Sequence, residues 1–367
     1  MLLTDLVVSD RTVRNKTIAI GGELANARAA MTDAHVARPL THPPKVALPV
    51  VSLAVAQIDG GRIQTRTSGC GVGVHHPHWR ESKNAGFYRM TGKQFEEDPH
   101  PELPSCFTNP TQMAGLLDGA SEIADEQAVD PEKPNLSWRP KSLVRTCLSS
   151  LCDSDRFGQM MSAEAERRGF FSADRRAFLG DGLAYNWKIQ QTNFESFTPI
   201  LDFIHPVERL HELSRLLYED AQEAWQQCGK WIELVWNGDV AEVIGMLHAE
   251  QSFRGKADSG SDENDPRRKL GETLTYLEHN VSRMNYPAYR TAGLPTTSCL
   301  IESQIKEMNR RVKGSEKFWN DGDSGDAILH LKAALISDGT ELPDHMSSRP
   351  GSQYTRKSKN DKRQAIP

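Results

Sequence analysis

The sequence predicts a mixed α/β fold that carries a large helical insertion, and three observations support this prediction. Alternating apolar residues over 49–67 and at 84–90 are typical of antiparallel strands. Short apolar runs at 177–179 and 200–204 flank a helical pattern, as in a parallel βαβ unit. Residues 206–286 then read as helical throughout. The 367 residues are enough for two domains, or for one large domain with an insertion.

Composition and charge argue against several classes of protein. With 38% hydrophobic and 25% charged residues, a wholly disordered chain is not expected. The sequence has no window of about 18 uncharged apolar residues and carries charge too early for a secretory signal, so we expect a cytoplasmic protein without a membrane span. A net charge of −5 limits any nucleic-acid surface to a local basic patch. The six cysteines form no CxxC pair, which favours reduced thiols over a zinc site.

The N-terminal elements come first in chain order. Residues 1–30 are predicted to be helical, with Ser9 or Asp10 as the cap. They are either a remnant of a helix-turn-helix DNA-binding region or an ordinary amphipathic helix. Residues 31–47 are rich in proline and are predicted to be a linker. The first part of the sheet domain then covers 48–205, and it begins with a strand, a Gly-Gly turn and a second strand.

The remaining elements complete the predicted fold. A third antiparallel strand at 84–90 is followed by a helical pattern over 141–168 and then by the βαβ unit. Three antiparallel strands followed by parallel strands is the order of the RNase H-like fold, so we predict an RNase H-like mixed sheet flanked by helices. The all-helical insertion covers 206–290, the last core helices 291–335, and a basic flexible tail 336–367.

Three carboxylates, Asp59, Asp181 and Glu302, are the predicted catalytic and metal-binding residues. In the first strand, Asp59 falls on the same face as the alternating buried residues. An acid on that face is costly unless it is paired or binds a metal. Asp181 ends the fourth strand, which neighbours the first in such a sheet. Glu302 lies on the last predicted helix, beside the buried stripe Ile301, Ile305, Met308 and Val312.

Converging carboxylates repel one another, and two Mg²⁺ ions would offset this repulsion. Such a pair, about 3.5–4 Å apart, can activate a water or a 3′-hydroxyl for in-line displacement at phosphorus, and Mn²⁺ is expected to substitute. Lys306, Arg310 and Lys313 follow Glu302 and are predicted to bind the flanking DNA phosphates.

Asp202 and His205 form a possible secondary site. Asp202 also sits in an apolar run, which makes it a rival of Asp181, and His205 could be a ligand or an acid. The alternative is a buried polar pair packed under the site. We prefer Asp181 because its Gly-Asp-Gly setting at a strand end leaves room for metal and DNA.

Several ordered segments resemble one family along roughly residues 10–350: QIDGGRIQTR, HPHWRESK, GDGLAYNW, ILDFIHPVERL and MNYPAYRTAGLPTTSCLIESQIKEMNRRVKGSEKFW. They are similar to insertion-sequence DDE transposases of the Kra type. The resemblance implies Mg²⁺-dependent cleavage and strand transfer of DNA at the ends of a mobile element, with Asp59, Asp181 and Glu302 as the acidic triad. It also implies double-stranded DNA as partner, a homodimer or larger synaptic oligomer, and a place at the bacterial nucleoid.

Two alternatives stay open: an inactive remnant, which one departure from the family motivates, and a nuclease, which the acidic triad alone does not separate from a transposase. Family members carry a longer N-terminal DNA-binding module, whereas this chain begins inside what looks like its last helix, so we expect a truncated copy or a start codon further upstream. A catalytically inactive DNA-binding remnant would bind DNA in a salt-sensitive way without cleaving it. A structure-selective nuclease on the same fold would cut DNA without joining strands.

Overall fold

A computed structural model of the chain describes residues 9–38, 51–66, 78–117, 139–297, 308, 312, 318–319 and 323–350. Its centre is a five-stranded mixed sheet in the order β3-β2-β1-β4-β5. The strands are β1 (Leu53–Gln64), β2 (Trp79–Thr91), β3 (Lys141–Ser150), β4 (Arg175–Gly180) and β5 (Thr198–Leu201). The first three strands pair antiparallel, and β4 and β5 extend the sheet from β1 in parallel. The predicted α/β class, with a mixed sheet flanked by helices, is confirmed.

Helices surround this sheet, and the longest run of them is the predicted insertion. The helices are α1 (Asp10–Ala37), α2 (Ser105–Thr108), α3 (Pro110–Leu117), α4 (Ser154–Arg167), α5 (Ala184–Asn193), α6 (Ile204–Leu217), α7 (Ala221–Trp236), α8 (Val240–Arg254), α9 (Pro266–Asn280), α10 (Tyr286–Thr291), α11 (Asp323–Ile336) and α12 (Glu341–Ser348). Within the described ranges, no helix combines the length and the apolar character that a membrane crossing requires.

The parallel half of the sheet follows the sequence prediction. Strands β4 and β5 with the crossover helix α5 form the expected βαβ unit. The insertion also packs as its apolar spacing predicts, because its stripes at three- and four-residue intervals are buried. These buried residues include Val207, Leu210, Leu213, Leu217, Leu270, Leu274 and Leu277.

The antiparallel half differs from the prediction in two places. Gly60 and Gly61 do not form a turn; they pair with Lys83 and Ser82, so the predicted hairpin is one long strand. A Cβ on Gly61 would come within 2.7 Å of Ser82 Oγ and 2.8 Å of Asn84 Nδ2, so this glycine allows close packing rather than a turn. The predicted third strand at 84–90 is β2.

The predicted helix over 141–168 is also wrong in its first part, because residues 141–150 are strand β3. Apolar residues at Val144, Cys147 and Leu148 fit helical spacing, but pairing with β2 decides the conformation. The helix starts only at Ser154, where the Asp153 carboxylate caps it by accepting from Arg156 N at 2.8 Å.

Two described segments, 31–37 and 341–348, have more regular structure than predicted. Ser9 caps α1 as expected, but the helix continues to Ala37, so residues 31–37 of the predicted linker are helical. Long-range ion pairs hold this extension, including Asp33 with Arg156 at 2.7 Å and His35 with Glu166 at 2.9 Å. Residues 341–348 of the predicted tail form α12, and Arg349 pairs with Glu23 of α1 at 2.6 Å.

Helix α1 packs directly on the other helices. A Cβ at Gly21 would lie 2.1 Å from the main-chain oxygen of Ala327, so glycine is needed where α1 meets α11. The origin of residues 1–30 in a helix-turn-helix stays a prediction. Within the described residues, no disulfide joins any two of Cys106, Cys147, Cys152 and Cys228.

Candidate active site

A row of polar side chains crosses the five strands near one end of the sheet. Ser149 pairs with Asn84, and Asn84 pairs with Asp59. The parallel pairs end at Gln57–Leu179 and Gly180–Leu201, and continuing these registers brings Asp59 opposite Asp181 and Asp181 opposite Asp202. Opposed residues on neighbouring strands project from the same face. The sheet order therefore brings three carboxylates together, as the sequence predicts for Asp59 and Asp181.

Asp59 is a partly exposed carboxylate at the end of an otherwise buried strand segment. Its Oδ1 accepts a hydrogen bond from Gly60 N at 2.6 Å. Removal from water raises the pKa of Asp59 to about 7, and the charges of Asp181 and Asp202 act in the same direction, against His205 and the Gly60 N–H. The protein thus disfavours a negative charge at a position where an added cation would stabilise it.

Asp181 stands at the turn between β4 and α5, and the turn holds it firmly. Its Oδ1 accepts from Leu183 N at 2.9 Å and from Asn186 Nδ2 at 2.7 Å. Its main-chain oxygen accepts from the Tyr276 hydroxyl of α9 at 2.9 Å. Gly182 has φ +95°, and a Cβ there would lie 2.5 Å from the Tyr276 ring. The expectation that small neighbours leave free space is therefore wrong at Gly182, because Tyr276 fills it.

Asp202 and His205 form an ion pair beside these two carboxylates. Asp202 follows β5 directly rather than lying in the strand, and it is fully buried. Its Oδ2 lies 3.7 Å from His205 Nε2, while Glu208 lies 3.8 Å from Nδ1. Burial opposes protonation of His205, but Glu208 and the carboxylates of Asp202, Asp181 and Asp59 outweigh it and raise the pKa to about 9. The imidazolium therefore offsets part of the negative charge.

The donor chemistry fits a hard cation, although the described residues do not complete a site. Carboxylate oxygens of Asp59 and Asp181 are the ligands that Mg²⁺ prefers. Gln57, two residues before Asp59 on the same face, is buried, and neither atom of its amide has a hydrogen-bond partner among the described residues. Buried amides are as a rule hydrogen-bonded. Among the described residues, no group of three His, Cys, Asp or Glu side chains is arranged to hold a metal.

Four of the predicted site residues, Glu302, Lys306, Arg310 and Lys313, lie outside the described residues. Two described positions of the same segment, Met308 and Val312, are helical and buried, as the predicted stripe requires. They pack in one cluster with Ile63 and Cys147. Ile63 follows Asp59 by four positions in β1, so it lies on the carboxylate face of the sheet. Met308 and Val312 therefore pack against the face of the sheet from which the carboxylates project.

Three residues of the site do not appear in the sequence analysis: Asn84, Ser149 and Tyr276. Asn84 and Ser149 are buried, and the Ser149 hydroxyl donates to Asn84 Oδ1 at 2.7 Å. Asn84 could have been noticed in the sequence, because it is a polar residue at a position of its strand that faces the interior. Nothing local marks Tyr276, because its contact with Asp181 spans 95 positions.

A scan against protein-family models and a search of curated proteins return no match for this chain. Asp59 and Asp181, with the Asp202–His205 pair beside them, offer oxygen ligands of the kind that a hard divalent cation takes. Within the described residues they do not by themselves complete the coordination of such an ion.

Proposed function

We propose that the chain is a DDE transposase with an RNase H-like core, which cleaves DNA and transfers strands at the ends of an insertion sequence in a metal-dependent reaction. The parallel register of β1 and β4 carries the proposal, because it ends at Gln57–Leu179 and its continuation by two residues sets Asp59 opposite Asp181. The sheet order β3-β2-β1-β4-β5, with three antiparallel strands and two parallel ones, supports an RNase H-like core. The ordered segments that resemble transposases support the particular reaction.

The residues divide into ligands and groups that orient them. Asp59 and Asp181 would hold Mg²⁺ together with Glu302, which precedes the buried Met308 by six positions in the chain. When bound, two such ions supply activation of the attacking oxygen and stabilisation of the leaving oxygen. Leu183 N and Asn186 fix the orientation of Asp181, which keeps its second oxygen available. Gly60 N does the same for Asp59.

DNA is the proposed substrate, and the element ends and the target are the proposed partners. A transposase joins two DNA ends, so we also propose a homodimer or a larger synaptic oligomer as the active form. Lys306, Arg310 and Lys313 would contact phosphates that flank the reacting one.

The test uses the full chain, Mg²⁺ or Mn²⁺, and a duplex that carries the element's own end. Wild type is compared with Asp181→Asn and with Asp174→Asn, a matched control at the opposite end of β4. Removing a ligand of the metal should reduce cleavage on the order of 10²–10³-fold, because metal assistance is worth several kcal/mol. The control should cleave like wild type.

Each other outcome identifies a different error. Full activity in Asp181→Asn would refute the assigned site. Cutting without strand joining would indicate the structure-selective nuclease instead. DNA binding without cleavage under either metal would indicate the inactive remnant.

A further inference from the structure

A charged groove lies on the helical insertion, formed by α6, α8, α9 and the loop that precedes α9. Its volume is about 930 Å³. We call it the insertion groove and define it by six lining residues, Arg209, His248, Lys256, Arg267, Arg268 and Tyr276. Nothing in the proposed catalytic chemistry uses its cationic side chains.

Two cationic side chains of the insertion groove stand outside its ion pairs. Of the three carboxylates that line the groove, Glu272 pairs with Arg268 at 2.9 Å and Glu278 is hydrogen-bonded to His248 at 2.8 Å. The third, Asp258, lies 3.8 Å from Arg267, which pairs more closely with Asp265 at 3.0 Å. Arg209 and Lys256 are exposed. In the described part of the chain, neither has a carboxylate within ion-pair distance. These two side chains, rather than the net charge of the groove, favour an anionic occupant beside them.

One end of the insertion groove adjoins the candidate active site. Tyr276 lines the groove, and its hydroxyl donates to the main-chain oxygen of Asp181 at 2.9 Å. The Arg209 guanidinium lies 4.1 Å from the centre of the Tyr276 ring. Arg209 is thus separated from the Asp181 turn by a single aromatic side chain. A chain of phosphates that has one member at Asp181 would have its next members close to Arg209.

The side chains also indicate which part of a nucleic acid would be bound. The guanidinium of Arg209 covers a face of the Tyr276 ring, so that face is not open to a stacked base. A stacked guanidinium still presents its N–H groups, which match phosphate oxygens. Lys256 contributes a mobile point charge.

We propose that the insertion groove binds the sugar–phosphate backbone of DNA, on the strand next to the phosphate held at Asp181. This inference rests on the proposed function. Contacts of this kind position DNA without reading its sequence. The helical insertion would then track the strand that enters or leaves the active site.

The test measures binding of a fluorescein-labelled duplex of arbitrary sequence by fluorescence anisotropy, with Ca²⁺ in place of Mg²⁺ and at several salt concentrations. Lys256→Gln and Arg209→Gln are compared with Lys230→Gln, an exposed lysine on α7 outside the groove. Each groove variant should bind about five- to tenfold more weakly and lower the salt slope by about one. The Lys230→Gln control should bind like wild type.

The outcomes separate this inference from the proposed function. Groove variants that bind as tightly as Lys230→Gln, or a wild type that binds no duplex, would overturn it. An effect of Arg209→Gln alone would overturn it too, because Arg209 also contacts Tyr276, whereas Lys256 does not touch the Asp181 turn. If the groove variants bind DNA more weakly but the wild type does not cleave it with Mg²⁺, the insertion groove is supported as a DNA-binding site and the proposed catalytic function is refuted.

Discussion

Two regions of the molecule cluster carboxylates that are buried or half-buried, and they balance the charge in opposite ways. On α4, Glu164 is fully buried, and its carboxylate is bonded to Arg28 of α1 and to Arg167 and Arg168 of its own helix. Glu341 of α12 joins the same arginines. At the sheet end, Asp59, Asp181 and Asp202 share a row, and the His205 imidazolium lies beside them.

The carboxyl pKa values reflect this difference. Burial by itself would raise the pKa of Glu164, but the charge of Arg28 and the bonds to Arg167 and Arg168 hold it well below its usual range. At Asp59 burial wins, the neighbouring carboxylates add to it, and the pKa rises to about 7. The first region uses buried charge to join α1, α4 and α12. In the second, the described residues supply more negative than positive charge, as expected where a cationic group completes the balance.

The largest predicted effect is on the arginine cluster. Glu164→Gln keeps the shape but removes the charge that Arg28, Arg167 and Arg168 face in the interior. Breaking a buried ion pair on one side costs about 3–5 kcal/mol, so urea unfolding should move to lower concentrations by that free energy. Asp155→Asn on the same helix is the control, because its pair with Lys188 is largely exposed and contributes little. Equal losses in the two variants would contradict the comparison.

The same cluster should make stability sensitive to acid. The pKa of Glu164 is lower in the folded chain than the ordinary value of 4.5, so its contribution is complete above that value and is lost as the pH falls toward the folded pKa. The stability difference between wild type and Glu164→Gln should therefore be constant at neutral pH and shrink below about pH 4.5. Urea unfolding at a series of pH values measures it. A difference that grows on acidification would have the wrong sign.

The sheet end should respond in the opposite direction. Asp59→Asn removes one of the mutually repelling charges and keeps an oxygen that can accept from Gly60 N. In EDTA at neutral pH, we expect the variant to be about 1 kcal/mol more stable than wild type. Added Mg²⁺ should then raise the melting temperature of wild type but not of Asp59→Asn. A destabilised variant in EDTA would mean that the fold already balances this charge.

Some of this arrangement could be predicted from the sequence because the signals are local. Strands β4 and β5 are short apolar runs that end at glycine or polar residues, and the stretch between them has the length of a crossover helix. Once the strand order is known, Asp59 and Asp181 must meet, since the carboxyl ends of neighbouring parallel strands lie at one edge.

The parts that could not be predicted depend on distant partners. Gly60–Gly61 is as compatible with a turn as with close packing, and Ser82 and Asn84 decide between them from another strand. The 141–150 segment takes its strand conformation from pairing with β2. The extension of α1 depends on Arg156 and Glu166, more than 120 positions away. None of these contacts leaves a mark in the local sequence pattern.

The smallest predicted effect concerns the uncharged end of the carboxylate row. Ser149→Ala removes the hydroxyl that donates to Asn84 Oδ1, leaving a buried acceptor without this partner, at a cost of about 1 kcal/mol. Because Asn84 pairs directly with Asp59, its freed amide should also loosen the site, so Mg²⁺ should raise the melting temperature less than in wild type. Ser149→Thr, which keeps a hydroxyl, is the matched control and should restore the response to Mg²⁺. If Ser149→Ala lost stability but its melting temperature rose with Mg²⁺ as much as that of wild type, Asn84 would be only a packing residue. The metal site would then include Asp59 but neither Asn84 nor Ser149.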